Sequence, residues 1–296
     1  MRVFGMLACT ALIPVLVLSG CSQGATGTPV RAGSSAVPAT AAETAERAPG
    51  TEPNVLTGRV TTEQGDPITG AQIRIVGYTG GAGLGQEIET VETGPDGTYR
   101  YEVPRGLYEV LGQATLDFDR QAYTFDLHPA DGHCEQRMSD DGIVQDFVLR
   151  LTGLIACRNA DLPDDYTSYH GAAIQLFDGT TGSPREDAVV EYTLEPVGPL
   201  ADGSPGETLT MNRTVAALRT SAGPIDRTWI LYDIPLAVYR VSATLVEPGG
   251  TRVPLFVSSD TESSIVPDVE VRFGARTFLG GYSVPQVRVH DEPEVG

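Results

Sequence analysis

The 296-residue chain contains no lysine; all twenty of its basic residues are arginine. That absence excludes a lysine nucleophile, a Schiff base and a Lys–Asn isopeptide cross-link. A codon bias toward GC accounts for it without any selection on function. Histidine is almost as scarce, and none of His128, His133, His170 and His290 begins a His-x-x-Glu pair. We find no Gly-x-Ser-x-Gly elbow, no phosphate-cradling glycine loop, and no Ser, His and Asp at a spacing that singles them out. No convincing amphipathic helix is visible. After residue 18, no apolar run approaches the roughly 20 residues that a membrane-spanning helix needs.

What is present begins with Arg2 and an apolar run from Val3 to Leu18, too short and too lightly flanked for a comfortable span. Residues 1–20 read as a secretory signal. The run closes on Leu18-Ser19-Gly20-Cys21, small residues ending on a cysteine, which resembles the bacterial lipoprotein signal in which that cysteine is acylated and becomes the first residue. The alternative is an ordinary signal peptide beside an accidental cysteine. Acyl chains such as palmitate contribute roughly 0.8 kcal/mol per buried CH₂, so more than one chain anchors stably where one binds reversibly. The expected partner is therefore a membrane, held through lipid and not crossed, and the expected location is the cell envelope, outside the cytoplasm. Ser22 is compatible with sorting to an outer membrane.

Twenty basic and thirty-nine acidic residues give a net charge of −19. Losing Arg2 with the signal leaves nineteen against thirty-nine, or −20. Such a surface repels nucleic acid and anionic lipid. Residues 21–54, rich in Gly, Ala, Thr, Ser and Pro and without apolar periodicity, read as a disordered tether whose ends average roughly 30 Å apart. Of the four cysteines, Cys9 leaves with the signal and Cys21 takes lipid, which leaves Cys134 and Cys157 as one pair. Outside the cytoplasm a disulfide is the default for such a pair. The alternative is a metal site using His128, His133 and Cys134 in "HPADGHC", which lacks a second ligand pair at a recognisable spacing. No metal and no cofactor are expected.

From Val55 onward, short alternating runs are separated by Gly, Pro, Asp and Asn, the pattern of an all-β sandwich. In "DGTYRYEVPRGLYEV", Asp96 to Val110, a turn at 94–97 leads into Tyr99, Tyr101 and Val103 alternating with Thr98, Arg100 and Glu102. Pro104-Arg105-Gly106 reverses the chain, and Tyr108 and Val110 resume the apolar face. The tyrosines are expected in the core and the carboxylates in solvent. Acid–base chemistry would need carboxylates converging in a pocket.

The segments "LTGRVTTEQGDPITGAQIRIV" at Leu56 to Val76 and "ETGPDGTYRYEVPRGLYEV" at Glu92 to Val110 carry a Gly-x-Val strand, a Gly-x-Pro-x-x-Gly-Ala turn, and an Asp-Gly-x-Tyr and Gly-x-Tyr hairpin. In these features the chain resembles the carboxypeptidase regulatory-like family, a transthyretin-like β-sandwich. The resemblance implies the fold of a module attached to enzymes. It implies little about activity.

The second half of the chain repeats the first in three collinear blocks. "GDPITGAQIRI" from Gly65 matches "GSPREDAVVEY" from Gly182. "DGTYRYEVPRGLYEV" matches "DRTWILYDIPLAVYRV" from Asp226 with one added residue, placing Pro104 with Pro235 and Tyr108 with Tyr239. "IVQDFVLRL" from Ile143 matches "IVPDVEVRF" from Ile265, which pairs Asp146 with Asp268 and Arg150 with Arg272. The expected architecture is all-β, two tandem transthyretin/Ig-like sandwiches at 55–160 and 165–285 after the tether, meeting near 159–167, with a C-terminal tail at 286–296.

Asp146/Arg150 and Asp268/Arg272, four apart on one strand face, are expected to pair with each other. Asn212-Arg213-Thr214 is a formal glycosylation sequence that we read as accidental. No catalytic residue is assigned, and the ligand is unknown. The leading expectation is a non-enzymatic envelope lipoprotein with a structural or binding role toward an envelope protein or polysaccharide. A second reading is a carbohydrate-binding module stacking sugars on Tyr78, Tyr123, Tyr166, Tyr169 and Tyr282. The third is an enzyme with a divergent site at His128, His133, Asp140 and Asp141.

Overall fold

The computed structural model describes residues 52–78, 85–156, 166–182, 186–219, 229–275 and 282–293. The expected signal (1–20), Cys21, nearly all of the tether, most of the linker and Cys157 lie outside them. The described residues belong to one compact unit that runs from Arg47.

Ten strands build the first sandwich: β1 (Val55–Thr62), β2 (Gln72–Tyr78), β3 (Gln86–Glu92), β4 (Thr98–Glu102), β5 (Leu107–Phe118), β6 (Gln121–Asp126), β7 (His128–Pro129), β8 (Arg137–Met138), β9 (Ile143–Val144) and β10 (Phe147–Leu149). One sheet has the order β4-β1-β10-β7, with β9 beside β1; the other has β3-β2-β5-β6, with β8 beside β5. Two glycines of the family-like segments answer to geometry. A Cβ on Gly58 would stand 1.9 Å from the carbonyl oxygen of Gln145, and Gly97 has φ +76°, in the left-handed region open to glycine. The Asp96 carboxylate closes that turn by accepting from the amide and hydroxyl of Thr98.

The second sandwich uses β11 (Ala172–Asp178), β12 (Val189–Pro196), β13 (Leu209–Thr214), a short helix α1 (Val215–Arg219), β14 (Ile230–Ile234), β15 (Tyr239–Val246), β16 (Arg252–Ser259), β17 (Asp268–Val271), β18 (Gly274–Ala275), β19 (Tyr282–Ser283) and β20 (Gln286–His290). Its pairing copies the first. β1 lies antiparallel to β4 and parallel to β10, and β11 lies antiparallel to β14 and parallel to β20. β2 lies between β3 and β5, and β12 between β13 and β15. The chain crosses between layers at Leu127, after β6 pairs with β5 and before β7 pairs with β10. It crosses again within β16, whose first residues pair with β15 and whose last pair with β20.

The fold class is therefore the expected all-β sandwich built twice, with three corrections. The third block of the repeat is out of register. The counterpart of β10 is β20, the parallel partner of β11, whereas β17 runs antiparallel to β15 just as β8 runs along β5. Residues 286–290, expected in a tail, are an interior strand of the second sandwich. Finally, the two Asp/Arg sets do not pair as expected. Asp146 accepts the amide of Arg59 at 2.7 Å where β1 leaves β9, and Arg150 faces Glu63 at 3.7 Å. Asp268 faces Arg240 at 3.4 Å, and Arg272 reaches Asp119 and Glu270. A spacing of four brings two side chains to one face, but neighbouring strands offer closer partners.

The one residue added in the second block is a β-bulge. Tyr232 and Asp233 stand opposite Ala173, with the register shifting between Ala172 and Ile174, and Asp233 has φ 61°. Among the described residues no ladder joins the two sandwiches, yet their buried residues form one cluster from Val60 and Ile73 through Phe147 to Ile174, Tyr192, Tyr239 and Val289. A satellite cluster of Leu56, Ile75, Val103, Tyr108 and Ile143 completes the first sandwich. Of the hairpin tyrosines, Tyr99 and Tyr108 are buried as expected, Tyr101 is half-buried against the satellite cluster, and Tyr99 donates to the carbonyl of Gln145 at 2.6 Å.

Candidate functional site

The β5–β6 hairpin turns at Asp119 and Arg120, both in the left-handed region, and carries its tip against the second sandwich. There the Tyr123 hydroxyl donates to the carbonyl of Phe273 at 2.6 Å, and the Gln121 side chain accepts the amide of Ala275 at 3.0 Å. Tyr123, expected to present a ring to solvent, is 3 % exposed. Its alternation with Thr124 and Phe125 places it inward.

The other expected aromatic positions are scattered. Tyr78 at the end of β2 is half-buried and donates to Glu109, which with burial raises its pKa. Tyr169 packs on Tyr232 with ring centroids 5.0 Å apart. The side chains of Tyr166 and Tyr282 lie outside the described residues. The described tyrosines do not form the platform that sugar stacking would use.

The acid and histidine cluster is likewise taken apart. His128, on β7, meets His170 edge-on at 5.8 Å, at the seam between the sandwiches. Burial first, then the charge of Arg150, lowers the His128 pKa. Burial, His128 and Arg150 push His170 down to about 4, with Asp126 pulling the other way. His170 is a residue that sequence reasoning missed, because a single histidine before a strand carries no local signal. His133 is exposed, and its amide is held by Asp131 at 3.0 Å. Burial works to raise the Asp131 carboxyl, but Arg137, the His133 amide and Gln145 together hold it at about 2. Asp140 takes a two-pronged grip from Arg105 at 2.6 and 2.8 Å, which keeps its pKa low. Among the described residues no group of three or more His, Cys, Asp or Glu is placed to hold a metal ion.

A cleft of about 480 Å³ lies instead on the first sandwich, over the outward face of β3-β2-β5-β6. Its floor is set by register. Gln72 lies opposite Gln113, and Gln113 opposite Asp126; in the next row Arg74 lies between Thr90 and Leu111. Glu87 and Glu109 flank Val76 beyond them. Cys134, Ile155 and Ala156 wall this floor, and at one end it reaches Phe147 beneath Gly112, where Leu127 crosses between layers. Ile155 and Ala156 immediately precede Cys157, the expected disulfide partner of Cys134.

The floor groups are engaged with one another. Gln113 donates to Asp126 at 2.9 Å, Tyr78 to Glu109, and Thr90 to Glu87 at 3.1 Å, with Arg74 3.9 Å from Glu87. Such a site can hold a polar ligand by hydrogen bonds.

No family model matches the chain, and no curated protein does. Similar solved structures include the Bacillus anthracis TIE protein, at 9 % identity over 81 % of this chain and 34 % of that one, with a TM-score of 0.30. A Streptococcal ancillary pilin matches at 11 % identity over 81 % and 63 %, with a TM-score of 0.23. Shaft pilin spaA from Lactobacillus rhamnosus GG matches at 11 % over 83 % and 100 %, also at 0.23. The chain thus spans about a third of the first protein and less than two thirds of the second. Likeness this distant carries no argument; the sandwich assignment stands on strand pairing. No helix among the described residues is long and apolar enough to cross a membrane, which says nothing of membrane β-barrels.

Proposed function

We propose that this protein is a non-enzymatic lipoprotein of the cell envelope, anchored by acyl chains on Cys21, with a binding role carried by its paired sandwiches. The observation that carries the reading is the fate of the titratable groups. Asp131 and Asp140 are neutralised by arginines, and the His128–His170 pair sits in the seam between sandwiches, not in the cleft. The cleft itself offers hydrogen-bonding groups on a rigid sheet. The carboxypeptidase regulatory-like resemblance of the first sandwich, and a Cys134–Cys157 disulfide beside the cleft wall, belong to the same proposal. The acidic surface argues against nucleic acid as a partner.

Two measurements test it. Mass spectrometry of the protein extracted from membranes should find an N-terminal peptide beginning at acylated Cys21, and Cys21→Ser should release the protein from the membrane fraction. A photo-cross-linker placed at Gln113 in the cleft, on intact cells, should capture an envelope component that the same group at Thr193, on the other sandwich, does not. An unacylated, intact N-terminus would refute the anchor. Equal capture at both positions would refute the binding role of the cleft.

A further inference from the structure

We propose that the cleft takes an uncharged, hydroxyl-rich ligand, a length of saccharide chain. This gives the binding role argued above its ligand class, and it rests on that role. The first support is position. The outward face of a sandwich sheet ordinarily meets solvent, but here the segments at 134 and 155–156 wall it into a cavity of about 480 Å³. That lies within the roughly 300–1,000 Å³ typical of small-ligand sites.

The second support is the donor and acceptor set. The side-chain amides of Gln72 and Gln113 stand opposite each other on adjacent strands. Gln72 offers two N–H donors and a carbonyl acceptor, and Gln113, with one N–H given to Asp126, offers the other and its carbonyl. A sugar hydroxyl both donates and accepts, so a paired amide floor meets neighbouring hydroxyls without leaving either partner unsatisfied. Arg74, on the central strand β2, adds a planar fork of donors, and Leu111 beside it offers aliphatic surface to the C–H face of a ring.

The third support is charge. Glu87, Glu109 and Asp126 line the cleft against the single guanidinium of Arg74, in a protein of net charge −19. Phosphate, sulfate and uronate polymers are repelled. Each of these three carboxylates already accepts one bond inside the floor, Glu87 from Thr90, Glu109 from Tyr78 and Asp126 from Gln113, and keeps lone pairs free for the donors of neighbouring hydroxyls. A basic peptide is the competing occupant that the titration below discriminates.

The test is calorimetric titration of the full chain in detergent micelles with neutral glucan, mannan and chitin oligosaccharides, with a polyuronate, and with an oligoarginine peptide. We expect saturable binding of at least one neutral oligosaccharide, insensitive to added salt. It should weaken about tenfold (~1.4 kcal/mol) in Gln72→Ala/Gln113→Ala. Arg74→Met, which keeps the stem and removes the fork, should weaken it similarly, while Thr193→Ala leaves it unchanged. Unaltered thermal unfolding of the variants separates lost contacts from lost fold. Failure of every neutral oligosaccharide to bind, or binding that survives the double substitution, overturns the proposal. Oligoarginine binding abolished by the double substitution also overturns the saccharide assignment while leaving the cleft a binding site, and silence toward every probe leaves the binding role to the cross-linking result.

Discussion

The hydroxyl of Tyr239 donates to the carbonyl oxygen of Pro235, four residues back, at 2.9 Å, and Tyr108 makes the same bond to Pro104 at 2.8 Å. The two bonds tie corresponding corners of the two sandwiches, between β4 and β5 and between β14 and β15, in the manner of a tyrosine corner. Tyr108→Phe and Tyr239→Phe should each destabilise by about 1 kcal/mol, the net worth of one such hydrogen bond. Urea denaturation of the two variants checks this. If neither midpoint moves, the corner is incidental to stability.

A continuous core predicts a single unfolding event. Ile73 lies in the first sandwich and Ile174 in the second, both fully buried in the same cluster. Ile73→Ala and Ile174→Ala should each cost about 2–5 kcal/mol. In scanning calorimetry both should shift one common transition. Two endotherms, each moved by only one of the variants, would show that the sandwiches melt independently.

The seam should weaken in acid. His170 has its folded pKa depressed from 6.5 to about 4, chiefly by burial and then by His128 and Arg150, with Asp126 partly compensating. Folding therefore favours the neutral imidazole. Above pH 6.5 neither state binds the proton and stability is unaffected. Between pH 6.5 and 4 the unfolded chain takes up the proton and the folded one does not, so stability falls with pH by as much as ~3 kcal/mol. His128, shifted the same way, adds to the loss. Stability measured by urea titration across this range should decline more steeply in the parent than in His170→Phe; parallel curves would rule out this source.

The proposed Cys134–Cys157 bridge closes a loop of 24 residues, cysteines included, beside the cleft, a closure worth roughly 3 kcal/mol on the chain-entropy account. Non-reducing peptide mapping should recover the two cysteines in one cross-linked fragment. Reduction should lower the melting temperature while leaving the Tyr108 and Tyr239 corners intact. Free thiols at both positions in protein taken from the envelope would exclude the bridge.

Local pattern made much of this fold legible. The alternation of Tyr99, Tyr101 and Val103 marked strand and face, and the match of Pro104 and Tyr108 with Pro235 and Tyr239 marked equivalent corners, although not the hydrogen bond that each pair makes. Even the one-residue insertion was visible, although not that it forms the bulge at Asp233, whose carboxylate accepts the amide of Gly153 at 2.7 Å. What failed depended on pairing between distant segments. "IVPDVEVRF" has the alternation of any half-exposed strand, so its likeness to "IVQDFVLRL" could not reveal that it runs along β15 and not β11. Gln286 to His290 is too short a run to stand out from a tail without knowledge of its neighbours. The cleft was invisible for the same reason: Gln72, Gln113 and Asp126 become a floor only once three strands are in register.

The parallel pairing of β11 with β20 sets an order of assembly. As the exported chain is delivered N-terminus first, the first sandwich has all its strands once Leu149 has been released, whereas Gln175 must wait for Gln286 before β11 gains its second neighbour. Until then β11 has an open flank on the side that β20 will occupy. The first sandwich, complete much earlier, offers the waiting half an apolar surface on which to rest.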